Sequence, residues 1–384
     1  MRKEKRIESL ELPQQHTRLR MILMIAALAV AVGAFAFALF SLLSGEPGWQ
    51  VVEGDTSGEL SFCDEFTLRY ELGASGARPA QERRALVRTY SQAQIEAWRY
   101  FSPTAAVTDE HPGLSWLNAH PNTEVELPPA LWQALSDSAA SGRWLFLGPI
   151  AEMQDALVRS GGDLEAAAYD PRKSPEMADF VREALRWIPD ETAIRLELEE
   201  GNRACLRISD ECLAFGENWD VSRWIDFHWL RNAWVADYLA EALSRAGRTR
   251  FVLYSKDGFA RIGSDEGGLT SVLPDGTQAV CRGKATLAVL QANRTGWTYR
   301  YADGERRTSY LSVEDGLDHC PADCLAAASR ERNCAALARA LQPLITRESL
   351  SGDELRELTC AWALVKADTI VSQAADPLTL IPLQ

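Results

Sequence analysis

The sequence predicts an α+β protein with a mixed or antiparallel sheet, preceded by one transmembrane helix. Segments with helical and with strand-like periodicity follow one another without the regular alternation typical of parallel βαβ units. A long uncharged apolar run lies near the N-terminus. The composition of the 384 residues is that of a globular protein, which excludes disordered, collagen-like and coiled-coil classes. The net charge of −14 excludes nucleic-acid binding as a first hypothesis, because such binding depends on basic patches.

The run 21–44 carries no charged residue and predicts a membrane anchor. As a helix it is about 36 Å long, enough to cross a hydrocarbon core of about 30 Å. A cleaved signal peptide is the alternative, but its apolar region is shorter and ends in a small-residue cleavage pattern that is missing here. Basic residues precede the run, namely Arg2, Lys3, Lys5, Arg6, Arg18 and Arg20. They predict an N-terminus inside the cell and residues 45–384 outside the cell membrane.

The predicted domains follow from this anchor. Residues 1–20 form a cytoplasmic basic segment, 21–44 the anchor, and 45–57 a linker rich in glycine and acidic residues. Residues 58–384 form an extracytoplasmic domain, long enough for one large core or two subdomains. A cluster of Gly, Pro and Asp at 263–276 is a weaker internal boundary.

The elements of this domain are predicted in chain order. A proline in the first turn and apolar residues at helical spacing predict helices at 79–101 and 128–141. Alternating apolar residues predict a strand at 192–199 and another around Leu206. The best helical periodicity covers 232–246 and ends at a glycine, and an apolar strand follows at 250–254. Further strands are predicted up to Tyr301, and a mostly helical part from Pro321 onward.

Cysteine and catalytic motifs leave the chemistry open. The eight cysteines are Cys63, Cys205, Cys212, Cys281, Cys320, Cys324, Cys334 and Cys360. In an exported chain they could form four disulfides, and 319–324 could form a local disulfide, a zinc site or a buried segment. The missing second Cys pair argues against zinc. A P-loop and the GxSxG, HExxH and GxGxxG motifs are all absent from the sequence.

From residue 115 onward, several short segments follow the motif order of a known family. They are 115–118, 125–131, 142–149, 226–237, 252–257, 294–299 and 309–316. The segment 226–237 aligns without a gap with the family signature D-l-G-G-i-A-K-G-y-a-v-D. Together the segments resemble the FAD:protein FMN transferase (ApbE-type) family, of which this chain looks like a divergent member.

The resemblance implies a T-fold-like α+β domain in a membrane-tethered, exported transferase. Such enzymes use magnesium to move FMN from FAD to a Thr or Ser of a target protein. The implied partners are therefore FAD, magnesium and a flavinylation target or redox complex. The cofactor-binding residues carried over from the family's motifs are Ser115, Asn118, Asp226, Asn232, Asp237, Thr295 and Gly296.

The departures from the family motifs bear directly on activity. His228 and Trp229 replace the paired glycines, Asn232 the lysine, Ser309 or Tyr310 the late histidine, and Ser312 the late aspartate. Ala335 and Arg339 replace the magnesium-binding aspartate and threonine. Since magnesium needs oxygen ligands and a guanidinium repels it, no metal ligand is assigned. Arg294 and Arg339 are candidate phosphate-binding residues, because guanidinium groups bind phosphate well.

Three functions therefore remain open. The first is a divergent flavin transferase in which an arginine replaces the metal. The second is a catalytically silent relative that binds flavin or a protein, and the third is an unrelated extracytoplasmic sensor or assembly protein. The plain alternatives for Asp226 and Asp237 are an acid at a helix N-terminus and a solvated acid on a helix face. The sequence assigns no catalytic residue.

Overall fold

The structure, a computed structural model, describes residues 17–294, 296–367 and 369–382, without the side chains of 17–20 and 35–44. Most of the predicted cytoplasmic segment 1–20 thus lies outside the described residues. The chain divides into two compact units, Met1–Gly48 with Leu72–Arg83 and Trp49–Glu71 with Arg84–Gln384. The described residues at the candidate site all belong to the second unit. The domain boundaries given above stay predictions.

Helices and strands alternate irregularly along the chain. The helices are α1 Thr17–Ser44, α2 Pro79–Phe101, α3 Leu114–Ala119, α4 Pro129–Ala139, α5 Gly148–Arg159, α6 Asp163–Tyr169, α7 Pro175–Trp187, α8 Asp210–Trp219, α9 Arg231–Arg245, α10 Cys334–Ile345 and α11 Gly352–Leu355. The strands are β1 Gly48–Val52, β2 Phe66–Leu72, β3 Glu124–Glu126, β4 Ile194–Glu199, β5 Arg203–Ile208, β6 Phe251–Ser255, β7 Phe259–Ile262, β8 Gly268–Val272, β9 Gln278–Arg282, β10 Ala285–Gln291, β11 Thr298–Arg300, β12 Arg306–Thr308, β13 Cys324–Ser329, β14 Ala361–Lys366, β15 Thr369–Gln373 and β16 Leu378–Ile381.

The main sheet has eight strands in the order β1-β2-β6-β7-β10-β13-β14-β15. The pairs from β2 to β15 are antiparallel. Smaller sheets have the orders β11-β12, β16-β9-β8 and β3-β5-β4. The α+β class with an antiparallel sheet is therefore confirmed.

The apolar core lies on both faces of this sheet. On one face, alternate residues of the central strands form a continuous buried layer, and Cys281 of β9 and Leu378 of β16 pack on it. This layer consists of Leu287, Val289, Cys324, Ala326, Ala328, Ala361, Ala363 and Val365. On the other face, α9 packs against α10, β6 and β7, and α10 also packs against β10 and β13.

Helix α9 forms where the sequence predicts it. Val235, Leu239 and Leu243 share one buried face, at the i, i+4 and i+8 positions that face a sheet. Gly247 follows the helix with φ 71°, a conformation that glycine adopts without strain. The predicted helices at 79–101 and 128–141 correspond to α2 and α4, and the predicted strands at 192–199, Leu206 and 250–254 to β4, β5 and β6.

The mostly helical C-terminal part predicted from Pro321 onward is wrong. Helices α10 and α11 are present, but β13, β14, β15 and β16 occupy more of this region. The sequence of β13 is CLAAAS, and alanine favours helices in isolation. Small side chains at this position instead let the strand lie in the centre of the sheet between β10 and β14, so packing overrides propensity.

Another sequence prediction concerns the membrane anchor. Within the described parts of the chain, the structure contains no helix with the length and apolarity needed to cross a membrane, so the predicted transmembrane helix is not supported.

All eight cysteines are free thiols, and five of them are buried. Of the alternatives for 319–324, burial without a disulfide describes this segment.

Candidate functional site

The segment before α9 is a turn. Among the described residues 221–230, the only regular element is a short 3-10 helix, His228–Leu230. The Asp226 N–H donates to the Leu145 carbonyl at 2.9 Å, and the Asp226 carboxylate accepts the His228 N–H at 2.8 Å. The Asp226 side chain is therefore the acid at the start of this helical segment, where it satisfies a free backbone donor.

Asn118, on α3, holds the same turn from the other side. Its Oδ1 accepts the N–H groups of Trp224 at 2.9 Å and Ile225 at 3.0 Å, and its Nδ2 donates to the Ile225 carbonyl at 3.0 Å. The amide is buried and these bonds use both of its ends. Ser115 is buried on the same helix. The structure thus places Asn118 as a residue that positions the backbone next to Asp226.

A cavity of about 270 Å³ opens beside this turn, and we call it the His228 cavity. It brings together Asp226 and Gly296 of the predicted site residues and adds charged residues that the sequence alone does not single out. Its lining consists of Glu65, Pro103, Thr104, Asp155, Val158, Arg159, Arg223, Asp226, His228, Arg231, Lys256, Gly296 and Trp297.

Arg223 neutralises two of the carboxylates in the His228 cavity. Its guanidinium is buried and its Nη1 lies 2.7 Å from Asp155 Oδ2 and 3.5 Å from Asp226 Oδ2. Burial in a medium of low polarity makes an unpaired charge costly, and this pairing offsets that cost. Asp155 also lies 3.5 Å from the exposed Arg159. Both carboxylates are therefore committed to protein partners.

Glu65 is neutralised in the same way. Its two carboxylate oxygens lie 2.9 Å and 2.8 Å from Nη2 of Arg231. Asn232, at the position of the family's lysine, donates from Nδ2 to Glu65 Oε2 at 2.7 Å. Asn232 does not line the cavity and is buried against this ion pair. The carried-over cofactor role of Asn232 therefore has no geometric basis in this structure.

His228 has an unusual backbone and an unpaired ring nitrogen. Its φ of 52° lies in the left-handed region, which costs a non-glycine residue about 1 kcal/mol. The residue is 8% exposed, and in the described structure Nε2 has no hydrogen-bond partner. Burial lowers the pKa of the His228 imidazole, and Asp155 and Asp226 oppose this effect. The ring is therefore neutral at pH 7, while burial raises the pKa of the Asp226 carboxyl.

Asp237 lies at a different place and has a structural role. Its carboxylate accepts the N–H groups of Cys334 at 2.9 Å and Ala335 at 2.8 Å, which begin α10. Arg261 lies 3.3 Å away. Burial raises the pKa of Asp237 to about 6 despite these favourable contacts. The plain alternative of a solvated helix-face acid is wrong for Asp237, because the carboxylate caps a neighbouring helix.

The residues at the family's magnesium positions do not fit the ion. Ala335 offers only its N–H to Asp237, and a methyl group provides no ligand. Arg339 donates from Nη1 to the Asp137 carbonyl at 2.8 Å and to Ser141 Oγ at 3.1 Å, and it lies over the Trp234 ring at 5.6 Å. Among the described residues, no three His, Cys, Asp or Glu side chains form a group that could hold a metal.

A larger cavity of about 540 Å³ adjoins Asp237, and we call it the Asp237 cavity. Its walls are mainly aromatic and aliphatic, with acidic and basic groups between them. They consist of Tyr100, Phe101, Pro128, Pro129, Ala130, Gln133, Ala134, Asp137, Trp234, Asp237, Tyr238, Glu241, Arg245, Arg261 and Asn333. The two signature aspartates therefore line separate cavities, Asp226 in the turn before α9 and Asp237 in the middle of that helix.

Aromatic side chains fill the space between two further motif segments. Trp229, at one of the family's glycine positions, is 4% exposed and meets Tyr310 edge to face at 5.0 Å between ring centroids. Glycine at that position would let a ligand approach the backbone, whereas an indole excludes one. The His228 cavity is also smaller than the roughly 300–1,000 Å³ typical of drug-sized ligands.

Arg294 and its neighbours also differ from the family expectation. Arg294 donates to the carbonyls of Lys256 and, at 3.0 Å, Val289, so its guanidinium is used within the protein. Thr295 lies outside the described residues. Gly296, with φ 84°, lines the His228 cavity and has open space around the position of a Cβ atom. Of the two candidate phosphate-binding arginines, neither lies in the cavity lining.

The charged residues of the His228 cavity had weak sequence signals. Asp155 and Arg159 are spaced i, i+4 on α5, a pattern typical of a helix surface, but α5 was not predicted. Lys256 falls in the motif-like segment 252–257, where the family pattern has a glycine. Arg223 lies three residues before Asp226 in a turn without periodicity. Only the folded chain brings these four residues together.

Comparisons with known proteins address the fold. No protein-family model matches the chain, and no curated protein sequence matches it. Among solved structures, the flavin transferase ApbE from Vibrio cholerae aligns with a TM-score of 0.56 at 12% identity, covering 88% of this chain and 97% of that protein. The Pseudomonas stutzeri flavinyl transferase ApbE, apo form, aligns with a TM-score of 0.55 at 16% identity, covering 85% and 96%.

An ApbE protein from Thermotoga maritima gives a similar result, with a TM-score of 0.54, 12% identity and coverage of 85% and 97%. Such low identities carry information about architecture and not about chemistry. The coverage nevertheless includes nearly the whole of each solved protein. The resemblance seen in the sequence is thereby confirmed for the fold: this chain has the fold of the ApbE-type flavin transferases.

Proposed function

We propose that this chain is a catalytically silent relative of the flavin transferases, which keeps their fold as a metal-independent binding protein. The observation that carries the proposal is the state of Arg339. By the sequence resemblance, Arg339 corresponds to a magnesium-binding threonine of the family, and its guanidinium is fixed by the Asp137 carbonyl and Ser141. A fixed cation there opposes a divalent metal, and transfer from a pyrophosphate without a metal loses several kcal/mol of charge stabilisation.

The aromatic contact of Trp229 with Tyr310 supports the same proposal. It fills space between two segments that correspond to ligand-binding motifs in the family, and both rings are buried. Opening this contact for a flavin ring would expose two large aromatic side chains at a cost of about 2 kcal/mol or more each. The chain is therefore better suited to a ligand smaller than FAD, or to a protein partner.

The divergent-transferase alternative requires a free arginine to replace the metal. Arg294 and Arg339 both donate to main-chain carbonyls, so freeing either guanidinium for a phosphate costs these hydrogen bonds. The unrelated sensor or assembly protein is disfavoured by the similarity of fold. No observation in the described residues favours either alternative over a silent relative.

A transferase assay tests the proposal. The purified full-length chain is incubated with FAD, magnesium and a peptide carrying an acceptor threonine, and the peptide is analysed by mass spectrometry. We expect no FMN adduct, while the Vibrio cholerae enzyme in a parallel reaction provides the positive control. A covalent adduct formed by this chain, and abolished by omitting magnesium, would refute the proposal.

We propose the location from the sequence alone. The basic residues before the run 21–44 are arranged as in proteins whose following domain lies outside the cell membrane. A flavinylation target or redox complex in that compartment would then be a candidate partner. Alkaline phosphatase fused after Ser57 in a bacterial host tests this location, because the enzyme is active only where disulfides form. An inactive fusion of normal abundance contradicts it.

A further inference from the structure

We propose that the His228 cavity binds a compact oxyanion, a phosphate group or a carboxylate, through Lys256 and Arg159. The inference rests on the proposed function, since a silent relative has no need to hold a dinucleotide and a metal. It also assigns a ligand class to a cavity whose residues match the family motifs only at Asp226 and Gly296.

The argument begins with the charges that already have partners. The cavity contains three carboxylates, from Glu65, Asp155 and Asp226. Arg231 and Asn232 bind the first, and Arg223 lies against the other two. The Asp226 carboxylate also accepts the His228 N–H. These fixed pairs leave no carboxylate in the cavity wall free to bind a cation.

The remaining charge is positive. In the part of the chain that the structure describes, Lys256 lines the cavity without an ion pair. Arg159 lines it too, and its side chain is 70% exposed, with only a 3.5 Å contact to Asp155. Lys256 is exposed, and a lysine amine at the wall of a concave site attracts anions more strongly than one on a flat surface.

Two further features define the size and chemistry of the ligand. The volume of about 270 Å³ admits a compact ion and excludes a dinucleotide. Gly296 presents backbone without a side chain to the cavity, so a ligand can approach it closely. The neutral His228 adds an imidazole with an unpaired nitrogen, suited to a ligand that still carries a proton, such as hydrogen phosphate.

Isothermal titration of the full-length chain with inorganic phosphate at low ionic strength tests the inference, and succinate in a second titration distinguishes a carboxylate from a phosphate preference. We expect saturable binding that weakens with added salt, since the contacts are charge-dependent. Lys256→Ala should weaken binding about tenfold, because it removes a charge-assisted hydrogen bond. Arg159→Ala should weaken it about threefold, because this side chain is largely solvated.

Lys284→Ala provides the matched control, since Lys284 is an exposed lysine outside the cavity. Its affinity for phosphate should equal that of the unmodified chain. The inference is overturned if neither anion binds, or if Lys256→Ala and Lys284→Ala bind phosphate equally well. It is also overturned if FAD displaces bound phosphate at a concentration lower than that of the phosphate. These titrations record non-covalent binding and the transferase assay records a covalent product, so the two proposals fail independently.

Discussion

The two cavities beside α9 contain the two aspartates of the signature segment in different roles. Before α9 begins, Asp226 lines the small His228 cavity beside fixed ion pairs and Lys256, which makes no ion pair among the described residues. In the middle of α9, Asp237 lines the larger, more aromatic Asp237 cavity, but its carboxylate binds the first N–H groups of α10. The His228 cavity therefore has an unpaired positive charge, while the Asp237 carboxylate holds two helices together.

The comparison shows that a motif position does not determine a role. A carboxylate that accepts two backbone N–H groups has little capacity left for a metal or cofactor. A lysine near neutralised carboxylates has its full charge available. The size of a cavity does not indicate whether its aspartate binds a ligand. The larger cavity contains Asp237, the aspartate with the more evident structural role. The four predictions below separate structural from ligand-binding charge in each of the two cavities.

The largest expected effect is on stability and concerns Asp226 in the His228 cavity. Asp226→Ala should lower the free energy of unfolding by about 3 kcal/mol, because it leaves the buried His228 N–H unsatisfied and removes one neighbour of the buried Arg223. Urea unfolding followed by tryptophan fluorescence measures the change. Asp226→Asn keeps an acceptor for the N–H and should lose about half as much. A loss below about 1 kcal/mol for the alanine variant contradicts this assignment.

The next effect concerns Asp237, in the middle of α9. Asp237→Ala should lower the free energy of unfolding by about 2 kcal/mol, since α10 loses a charged N-terminal cap. Glu241→Ala is the control, because Glu241 is an exposed acid in the same cavity and should change stability by less than about 0.5 kcal/mol. Equal losses for the two variants would show that Asp237 is a surface acid after all.

The pH dependence of stability should also depend on Asp237. Its pKa is about 6 in the folded chain and 3.8 ordinarily, so the folded state takes up the proton first as the pH falls. Protonation of Asp237 therefore raises the free energy of unfolding by about 1 kcal/mol when the pH falls from 8 to 5. This contribution is lost when the pH rises again through 6. Asp237→Asn cannot titrate and should show a smaller rise in urea unfolding measured at both pH values. An unchanged rise would place the titration elsewhere, for example at Asp257, whose pKa burial also raises to about 6.

Much of the fold could be predicted from periodicity, because amphipathic segments bury one face wherever they lie. Helices α2, α4 and α9 and strand β6 have strong patterns, and their predicted ranges agree with the structure. The prediction failed at strand β13, because its alanines carry no strand signal. This segment forms a strand through pairing with residues that are distant in the sequence. The order of weak motifs predicted the fold better than any one of them.

The site was harder to predict, because its charges come from distant segments. Asp155 pairs with Arg223 across 68 positions of sequence, and Glu65 with Arg231 across 166. Asp226 and Gly296 were predicted from motif positions and do line the cavity. Lys256 was not predicted as a site residue. Its importance depends on the nearby carboxylates being paired with other residues, which only the structure shows.

The smallest expected effect on stability distinguishes the His228 cavity from the Asp237 cavity most clearly. Lys256→Ala should change the free energy of unfolding by less than about 0.5 kcal/mol, because among the described residues its amine makes no ion pair and its backbone contacts to Glu65 and Arg294 survive the substitution. The same variant should lose about tenfold in phosphate affinity. Asp237→Ala should have the opposite pattern, with reduced stability and unchanged phosphate affinity. Urea unfolding and phosphate titration of both variants therefore test the two assignments together. If Lys256→Ala instead unfolds as readily as Asp237→Ala, then Lys256 is structural, and the contrast between the two cavities disappears.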